Sequence, residues 1–225
     1  MTARPLLIVG AGGLSRETLS AVEAVNSVSP QWTMLGFLDD DPALHGRYVQ
    51  RRPVLGPLDL VHDHPDAAVV MTIASIHNPG TRRRIVQRLA LPAERYATIV
   101  HPAASVAAGA EVGPGSVFLA GSVVTAPQVI GSHVVVMPNT TITHDDHIHD
   151  YVMFASGVLV SGFVTVCESA YLGTGAMIRE RLTIGAEALV GMGAVVLNDV
   201  PPGEVWVGNP ARHLRTAHRP NHFVA

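Results

Sequence analysis

The chain has 225 residues, 48% of them hydrophobic, and a formal net charge of −3 at pH 7. This length accommodates one large domain or two modest ones, and the charge indicates neither a nucleic-acid partner nor binding to an anionic membrane. The basic residues are all arginine, which excludes a P-loop lysine and Schiff-base chemistry on a lysine.

The only cysteine is Cys167, which excludes an internal disulfide and is typical of a reducing cytoplasm. The most apolar stretch, 117–137, is interrupted by polar residues, and the apolar run 6–9 is too short for a signal peptide. We therefore expect a cytoplasmic protein without membrane insertion. We interpret Cys167 as a packed or surface thiol rather than a nucleophile.

The first hundred residues alternate strand-like apolar runs with helical patterns. Residues 6–9 predict a buried strand, and a helix follows from about Ser15, which we expect to cap it. The further predicted elements are strands at about 34–38, 67–74 and 97–100 and a helix at about 81–89. This alternation is typical of a small, parallel, Rossmann-like sheet.

A glycine-rich turn joins the first strand to the first helix. Its glycines are Gly10, Gly12 and Gly13. Free N–H groups at a helix start favour a phosphate, but Ser15 replaces the third glycine of the dinucleotide-binding fingerprint. Two interpretations stay open: a purely structural turn, or a site for a nucleotide diphosphate whose ribose or base bonds Asp39 or Asp40.

Two other segments give shorter signals. The run Arg82–Arg84 is interpreted as a solvated helix face rather than a phosphate clamp. Near the end of the chain we predict a strand at 205–207 and a turn at Asn209–Pro210, and residues after about Arg215 show no periodic pattern.

From position 106 to position 196 an apolar residue recurs at every sixth position without exception. A helix period of 3.6 or a strand period of 2 does not produce this register. A sixfold repeat is typical of a parallel β-helix, in which each hexad is a short strand and a corner. The recurring residues are Val106, Val112, Phe118, Val124, Ile130, Val136, Ile142, Ile148, Phe154, Val160, Val166, Leu172, Ile178, Ile184, Val190 and Val196.

The sequence therefore predicts a mixed fold in three segments. Residues 1–102 form a Rossmann-like domain, in which the glycine turn is either structural or a site for a nucleotide diphosphate. Residues 103–200 form the β-helix, and residues 201–225 form a strand, a turn and a tail.

Three histidines and three acids crowd into residues 143–150. In hexapeptide-repeat carbonic anhydrases, a pair spaced like His144 and His149 needs a third histidine at the position of Ala108, so we expect no metal here. We favour His144 as a general base, because a neutral imidazole accepts protons near neutrality and Asp145 can hold its tautomer. A histidine in a polar surface corner is the alternative.

The predicted coil also places a backbone group near this base. Three hexads complete one turn, so residues eighteen apart stack about 4.8 Å apart. The residue eighteen beyond His144 is Gly162. Glycine leaves room for a substrate carbonyl, and its N–H is a candidate oxyanion donor for acyl transfer.

Taken together, these motifs resemble the PglD/NeuD-type bacterial sugar acyltransferases, within the left-handed β-helix acyltransferases. The residues that carry the resemblance are Ile8–Gly13, Gly36–Asp40, His101–Pro102, the unbroken hexads, His144–Asp145 and Val207–Ala211. The resemblance implies a homotrimer that uses acetyl-CoA to acylate an amino or hydroxyl group of a sugar, often a nucleotide-linked one.

The resemblance also assigns roles to residues. It implies that His144 is the base, that Asp145 assists it and that the Gly162 N–H meets the thioester oxygen. The residues that it places along the coenzyme, in a groove between two prisms, are Gly162, Thr174 and Met192. Those that it places around the nucleotide are Gly10, Gly12, Gly13, Asp39, Asp40 and Asn78.

We favour an amino group as the acceptor. Acetylation of a sugar hydroxyl and a non-catalytic, trimeric, nucleotide-binding scaffold are the alternatives. Some amine-acetylating relatives carry asparagine where this chain has Met137, and Leu14-Ser15 departs from the usual front loop. These departures leave the choice between amine and hydroxyl open.

Overall fold

The computed structural model describes residues 3–75 and 78–216. They form an α/β front domain and a three-sided, left-handed parallel β-helix, as the sequence predicted. Within these residues, neither α-helix is long and apolar enough to cross a bilayer.

The front domain is built on a five-stranded sheet. Its elements are β1 (Arg4–Val9), α1 (Gly13–Val28), β2 (Trp32–Leu38), β3 (Tyr48–Val49), β4 (Arg52–Gly56), β5 (Ala68–Met71) and α2 (Thr81–Leu89), with 3-10 turns at Pro42–Leu44, Leu58–Asp63 and Ala93–Arg95. The strand order is β3-β4-β2-β1-β5. All neighbours are parallel except β3 and β4, so the predicted parallel sheet is confirmed.

The start of α1 differs from the prediction. The N-cap is Gly12, which makes no side-chain cap, and Ser15 lies inside the helix. Ser15 is buried, and its hydroxyl lies 2.8 Å from the Thr72 hydroxyl, which donates to the Val9 carbonyl. The predicted cap at Ser15 is therefore wrong, because this hydroxyl joins the helix to the sheet. The first turn of α1 keeps its N–H groups without a side-chain cap.

The β-helix has three faces, each a ladder of parallel strands. The first face comprises Ile99–Val100, Val117–Phe118, Val135–Val136, Met153–Phe154, Tyr171–Leu172, Leu189–Val190, Glu204–Val207 and the antiparallel Arg212–Thr216. The second comprises Ser105–Val106, Val123–Val124, Thr141–Ile142, Leu159–Val160, Met177–Ile178 and Val195–Val196. The third comprises Glu111–Val112, Val129–Ile130, His147–Ile148, Thr165–Val166 and Thr183–Ile184. The predicted strand at 205–207 is confirmed, and residues 217–225 lie outside the described part.

The recurring apolar residues fill the interior of the prism. From Phe118 onward they are at most 3% exposed, and burial of such a side chain contributes about 1.5–3 kcal/mol. The residue that follows each recurring apolar residue is often glycine, because the next coil leaves no room for a side chain there. A Cβ on Gly131, for example, would lie 2.6 Å from the Asp150 amide nitrogen.

The strand predicted at 97–100 belongs to the prism rather than to the front sheet. Ile99 and Val100 pair with Val117 and Phe118, whereas the segment meets β5 at a bridge between Tyr96 and Val69. Ile99 is buried in the cluster that α1 and the first face share. The ladder therefore begins before the first hexad, and one apolar cluster spans both parts of the chain.

The arginine run on α2 fastens the front domain to the corner between the third and first faces. Arg82 is 4% exposed, and its Nη2 donates to the Tyr151 carbonyl at 2.6 Å. Arg83 bonds Glu168 at 3.0 Å and Glu187 at 2.8 Å. Only Arg84 is exposed. The predicted solvated face is therefore wrong for the first two arginines, because the prism covers them.

We expect Arg83→Ala to lower the free energy of unfolding by about 0.5–1 kcal/mol, because its two ion pairs are partly exposed and screened. Arg84→Ala is the matched control on the same helix and should leave the transition unchanged. Denaturant unfolding of both variants measures the difference. Equal effects of the two substitutions would contradict the docking role of Arg83.

Candidate active site

His144 and Asp145 lie at the corner between the second and third faces, which we call the His144 corner (residues 143–146). The His144 Nδ1 is 2.8 Å from the Asp145 Oδ2, and both side chains are more than half exposed. An ionised carboxylate only accepts hydrogen bonds, so Nδ1 carries a hydrogen, and in the neutral imidazole Nε2 then keeps its lone pair. Asp145 adopts φ 59°, a left-handed conformation that aspartate tolerates.

Gly162 lies directly above the imidazole, in the next coil. A Cβ at this position would be 2.6 Å from the His144 Cε1 and 2.8 Å from Nε2. Only glycine lets the ring lie against this stretch of backbone.

The two neighbours of Gly162 use their amides in the ladder. Ser161 donates to Ile178 and Phe163 donates to His144, each at 3.1 Å. The Gly162 N–H makes no hydrogen bond to any residue of 3–75 or 78–216. An uncommitted donor therefore lies beside the imidazole.

An aromatic side chain borders the imidazole on another side. The Phe163 ring meets the His144 ring edge-on, with centroids 5.4 Å apart at 88°. The Arg181 guanidinium lies 4.4 Å from the centroid of the Phe163 ring. Neither Phe163 nor Arg181 was among the predicted site residues, although the series Asp145, Phe163 and Arg181 advances by eighteen positions at each step.

Thr174 and Met192 lie at a different corner, between the first and second faces. They stack in one column, since Gly193 donates to the Thr174 carbonyl at 2.8 Å. Met192 is 81% exposed. The whole second face separates this column from Gly162 within one protomer.

The residues expected around a nucleotide follow three strands of the front sheet at its carboxyl edge. The glycine turn follows β1, Asp39 and Asp40 follow β2, and Asn78 follows β5. Ligands of open α/β sheets bind at this edge. Gly10 has φ 104°, whereas a Cβ on Gly12 would meet only open space.

The carboxylates and amide at this edge already contact the protein. Asp39 accepts the N–H groups of Ala11 at 2.9 Å and Asp41 at 3.0 Å, and so shapes the glycine turn. The partners of Asp40 are the Leu58 amide and Arg88, each at 3.0 Å. The Asn78 N–H donates to the Ser75 hydroxyl at 3.2 Å.

In the described residues, no three His, Cys, Asp or Glu side chains gather as metal ligands. The His147 and His149 rings lie 5.7 Å apart. Ala108 occupies the column of His144 two coils below, as the strand register requires. Cys167 is half-buried, and burial raises the pKa of its thiol.

Comparison with known proteins covers almost the entire chain. Residues 5–89 match the family model of the PglD N-terminal domain. The GDP-perosamine N-acetyltransferase of Escherichia coli O157:H7 is 32% identical over 214 residues, 92% of this chain and 95% of that protein.

Solved structures agree with the sequence matches. The acetyltransferase domain of PglB from Neisseria gonorrhoeae FA1090, in complex with acetyl coenzyme A, has a TM-score of 0.81 and 29% identity over 95% of this chain and all of that one. WeeI from Acinetobacter baumannii AYE has a TM-score of 0.78 and 30% identity over 93% of this chain and 99% of that one. The similarity spans both domains, and the chain belongs to the PglD/NeuD-type bacterial sugar acyltransferases, acyl-CoA-dependent enzymes with a left-handed β-helix.

Proposed function

We propose that this protein is a cytoplasmic homotrimer that transfers the acetyl group of acetyl-CoA to an amino group of a nucleotide-linked amino sugar. The observation that carries the proposal is the uncommitted Gly162 N–H beside the imidazole of the His144–Asp145 pair. The named activity of the E. coli relative and the acetyl coenzyme A complex of PglB support the two substrate classes.

The proposed reaction is direct attack on the thioester. His144 Nε2 takes the proton of the sugar amine as the amine nitrogen forms a bond to the carbonyl carbon of the thioester. The carbon–sulfur bond then breaks, and the coenzyme leaves as a thiolate that takes up the proton released by the His144 imidazolium. Asp145 keeps Nδ1 protonated and stabilises the imidazolium.

The Gly162 N–H is the proposed donor to the negative oxygen of the tetrahedral intermediate. One such donor contributes about 2.7–4 kcal/mol to transition-state stabilisation in other acyl-transfer enzymes. The ladder bonds of Ser161 and Phe163 hold this amide in place before the substrate arrives.

The nucleotide is proposed to bind at the carboxyl edge of the front sheet, with its phosphates on the uncapped first turn of α1. Asp39 fixes the turn from below through the Ala11 amide, and Asp40 borders the same edge. A Cβ on Gly12 would meet only open space, and one on Gly13 would lie 4.0 Å from the Arg16 Nη2. Asn78 lies on the loop that follows β5.

A trimer would bring together the two columns of residues proposed to bind the coenzyme, that of Gly162 and that of Thr174 and Met192. Within a single chain the second face separates Thr174 and Met192 from Gly162. Thr174 and Met192 of one protomer can therefore face only the Gly162 of another protomer. That face exposes apolar side chains, with Leu159 46% and Met177 48% exposed. A contiguous exposed apolar surface is typical of an interface between subunits.

We expect Met177→Glu to dissociate the trimer and abolish acetyl transfer, because it puts a charge in the apolar interface. Val129→Glu, on the third face where Val129 is 56% exposed, is the matched control and should remain trimeric. Light scattering coupled to gel filtration gives the mass of each variant. A monomeric wild type, or a trimeric Met177→Glu variant, would contradict the proposed interface.

The function itself is tested by incubating the protein with acetyl-CoA and a panel of nucleotide-linked amino sugars, and by detecting the acetylated product by mass spectrometry. An acetyl group that survives mild alkali is an amide, whereas one that is lost is an ester on a hydroxyl. An absence of coenzyme A binding by calorimetry would instead favour the trimeric scaffold.

A further inference from the structure

A second carboxyl group of the His144 corner points into the prism. Asp146 is 2% exposed, whereas Asp145 lies on the surface. The other residues in this interior column are mostly apolar: Ala110, Val164, Leu182 and Val200 share it with Asp146 and Gln128. Burying a carboxyl group costs free energy unless hydrogen bonds offset the cost.

Asp146 connects three successive coils. Its Oδ1 accepts the Val164 N–H at 2.8 Å, in the coil above, and its own N–H donates to the Gln128 Oε1 at 2.9 Å, in the coil below. Burial raises the pKa of Asp146 to about 6, although the amides of Val164 and Thr143 oppose this effect.

These bonds differ from a bond that closes several of the other corners. There, the amide at this position donates to the carbonyl three residues earlier, as Ala170 does to Cys167 and Ala176 to Gly173. At Asp146 and Val164 the amide donates to a side chain of the coil below instead. The Val134 amide donates to the Ser116 hydroxyl in the same way at 3.0 Å, at the corner between the third and first faces. Asp146 joins the corner that carries His144 to the corner that carries Gly162.

We propose that Asp146 is a positioning residue for acetyl transfer, which holds the corner of His144 in line with the corner of Gly162. The inference rests on the proposed function. Asp146 is within two residues of both members of the His144–Asp145 pair but faces the opposite side of the backbone. It does not touch the substrates; it fixes the distance between the base and the amide.

The test compares Asp146→Ala and Asp146→Asn with Asp150→Ala. The last is a matched control, because Asp150 also accepts an amide of the coil below, that of Ser132 at 2.7 Å, but is exposed and lies at another corner. We expect Asp146→Ala to lower kcat by about 10- to 100-fold, with KM for both substrates within about twofold, because a small misplacement of reacting groups is costly. Asp146→Asn keeps an oxygen for Val164 and should retain most of kcat. Asp150→Ala should match the wild type.

Two readouts are independent of activity. Hydrogen exchange at the Val164 amide should be faster in Asp146→Ala and unchanged in Asp150→Ala. The free energy of unfolding should also depend on pH, because folding raises the pKa of the Asp146 carboxyl from 3.8 to about 6. The contribution of this carboxyl to the free energy of unfolding is greatest below pH 4 and is lost as the pH rises through 6. Asp146→Asn lacks this titration, so its stability relative to the wild type should increase from pH 4 to 6.

In that comparison the titrations of groups that do not interact with Asp146 cancel. The titratable groups nearest Asp146 are His144 and Asp145, both on its own corner. The coil below presents Gln128, and the coil above presents Val164. Burial lowers the pKa of His133 to about 4, but both proteins retain this histidine.

The outcomes separate the two proposals. A wild type that acetylates no amino sugar would overturn the proposed function, and the exchange rate at Val164 would still report on the link between the coils. An active wild type with unchanged kcat in Asp146→Ala would overturn the positioning role. Unchanged exchange at Val164 in that variant would overturn it as well.

Discussion

Replacing His144 with alanine is expected to lower kcat by about 10²- to 10⁴-fold, the usual contribution of a general base. The fold should persist, because this side chain is 56% exposed and packs in no core cluster. KM for acetyl-CoA should change little, since the imidazole acts on the acceptor amine. Steady-state assays of thiol release and a circular dichroism spectrum measure both effects.

His147→Ala is the control for this experiment. His147 lies three residues further along, exposed on the third face and away from Gly162. It should retain near-normal turnover. A His144→Ala enzyme with wild-type kcat would remove His144 from the mechanism, and equal losses in both variants would indicate a general disturbance of this corner.

Gly162→Ala is expected to lower kcat by about 10²-fold, the order of loss that a displacement near 1 Å causes in a reacting group. The φ of Gly162 lies outside the left-handed region, so alanine can adopt the backbone conformation without strain. The new methyl group, however, would lie 2.6–3.0 Å from three atoms of the His144 ring. The ring must therefore move, whereas the N–H remains.

A double-mutant cycle gives the control. In the His144→Ala background the added methyl group meets no imidazole, so Gly162→Ala should cause little further loss, and the two effects should be strongly non-additive. Additive losses would show that the methyl group acts elsewhere, for example against the incoming thioester. That result would separate the steric role of glycine from its pairing with the base.

The sequence predicts the prism and the vertical neighbours in it because the repeat converts a residue count into a position. His144 and Gly162 are eighteen residues apart, and this number alone is enough to stack them. The same arithmetic placed Thr174 and Met192 in one column, but it does not show which surface of another protomer faces them.

The wrong predictions share a physical origin. Arg83 bonds Glu168 from 85 residues away, and Ser15 bonds Thr72 across 57 residues. A contact of this kind leaves no local pattern in the sequence. The local pattern therefore predicts a helix cap at Ser15 and a solvated face at Arg83. The prediction for Ile99 chose the front sheet instead of the prism for a related reason, because the sequence of a two-residue strand does not indicate which strand it pairs with.

The stacking of identical coils also limits how this enzyme can change its length. One residue inserted into a strand between positions 144 and 162 would rotate every later side chain by one step, and Gly162 would leave the imidazole. Whole turns, or loops that bulge from a corner, preserve the alignment. Natural length variation in this region is therefore expected as outgrowths at corners and as added or lost circuits beyond the catalytic pair.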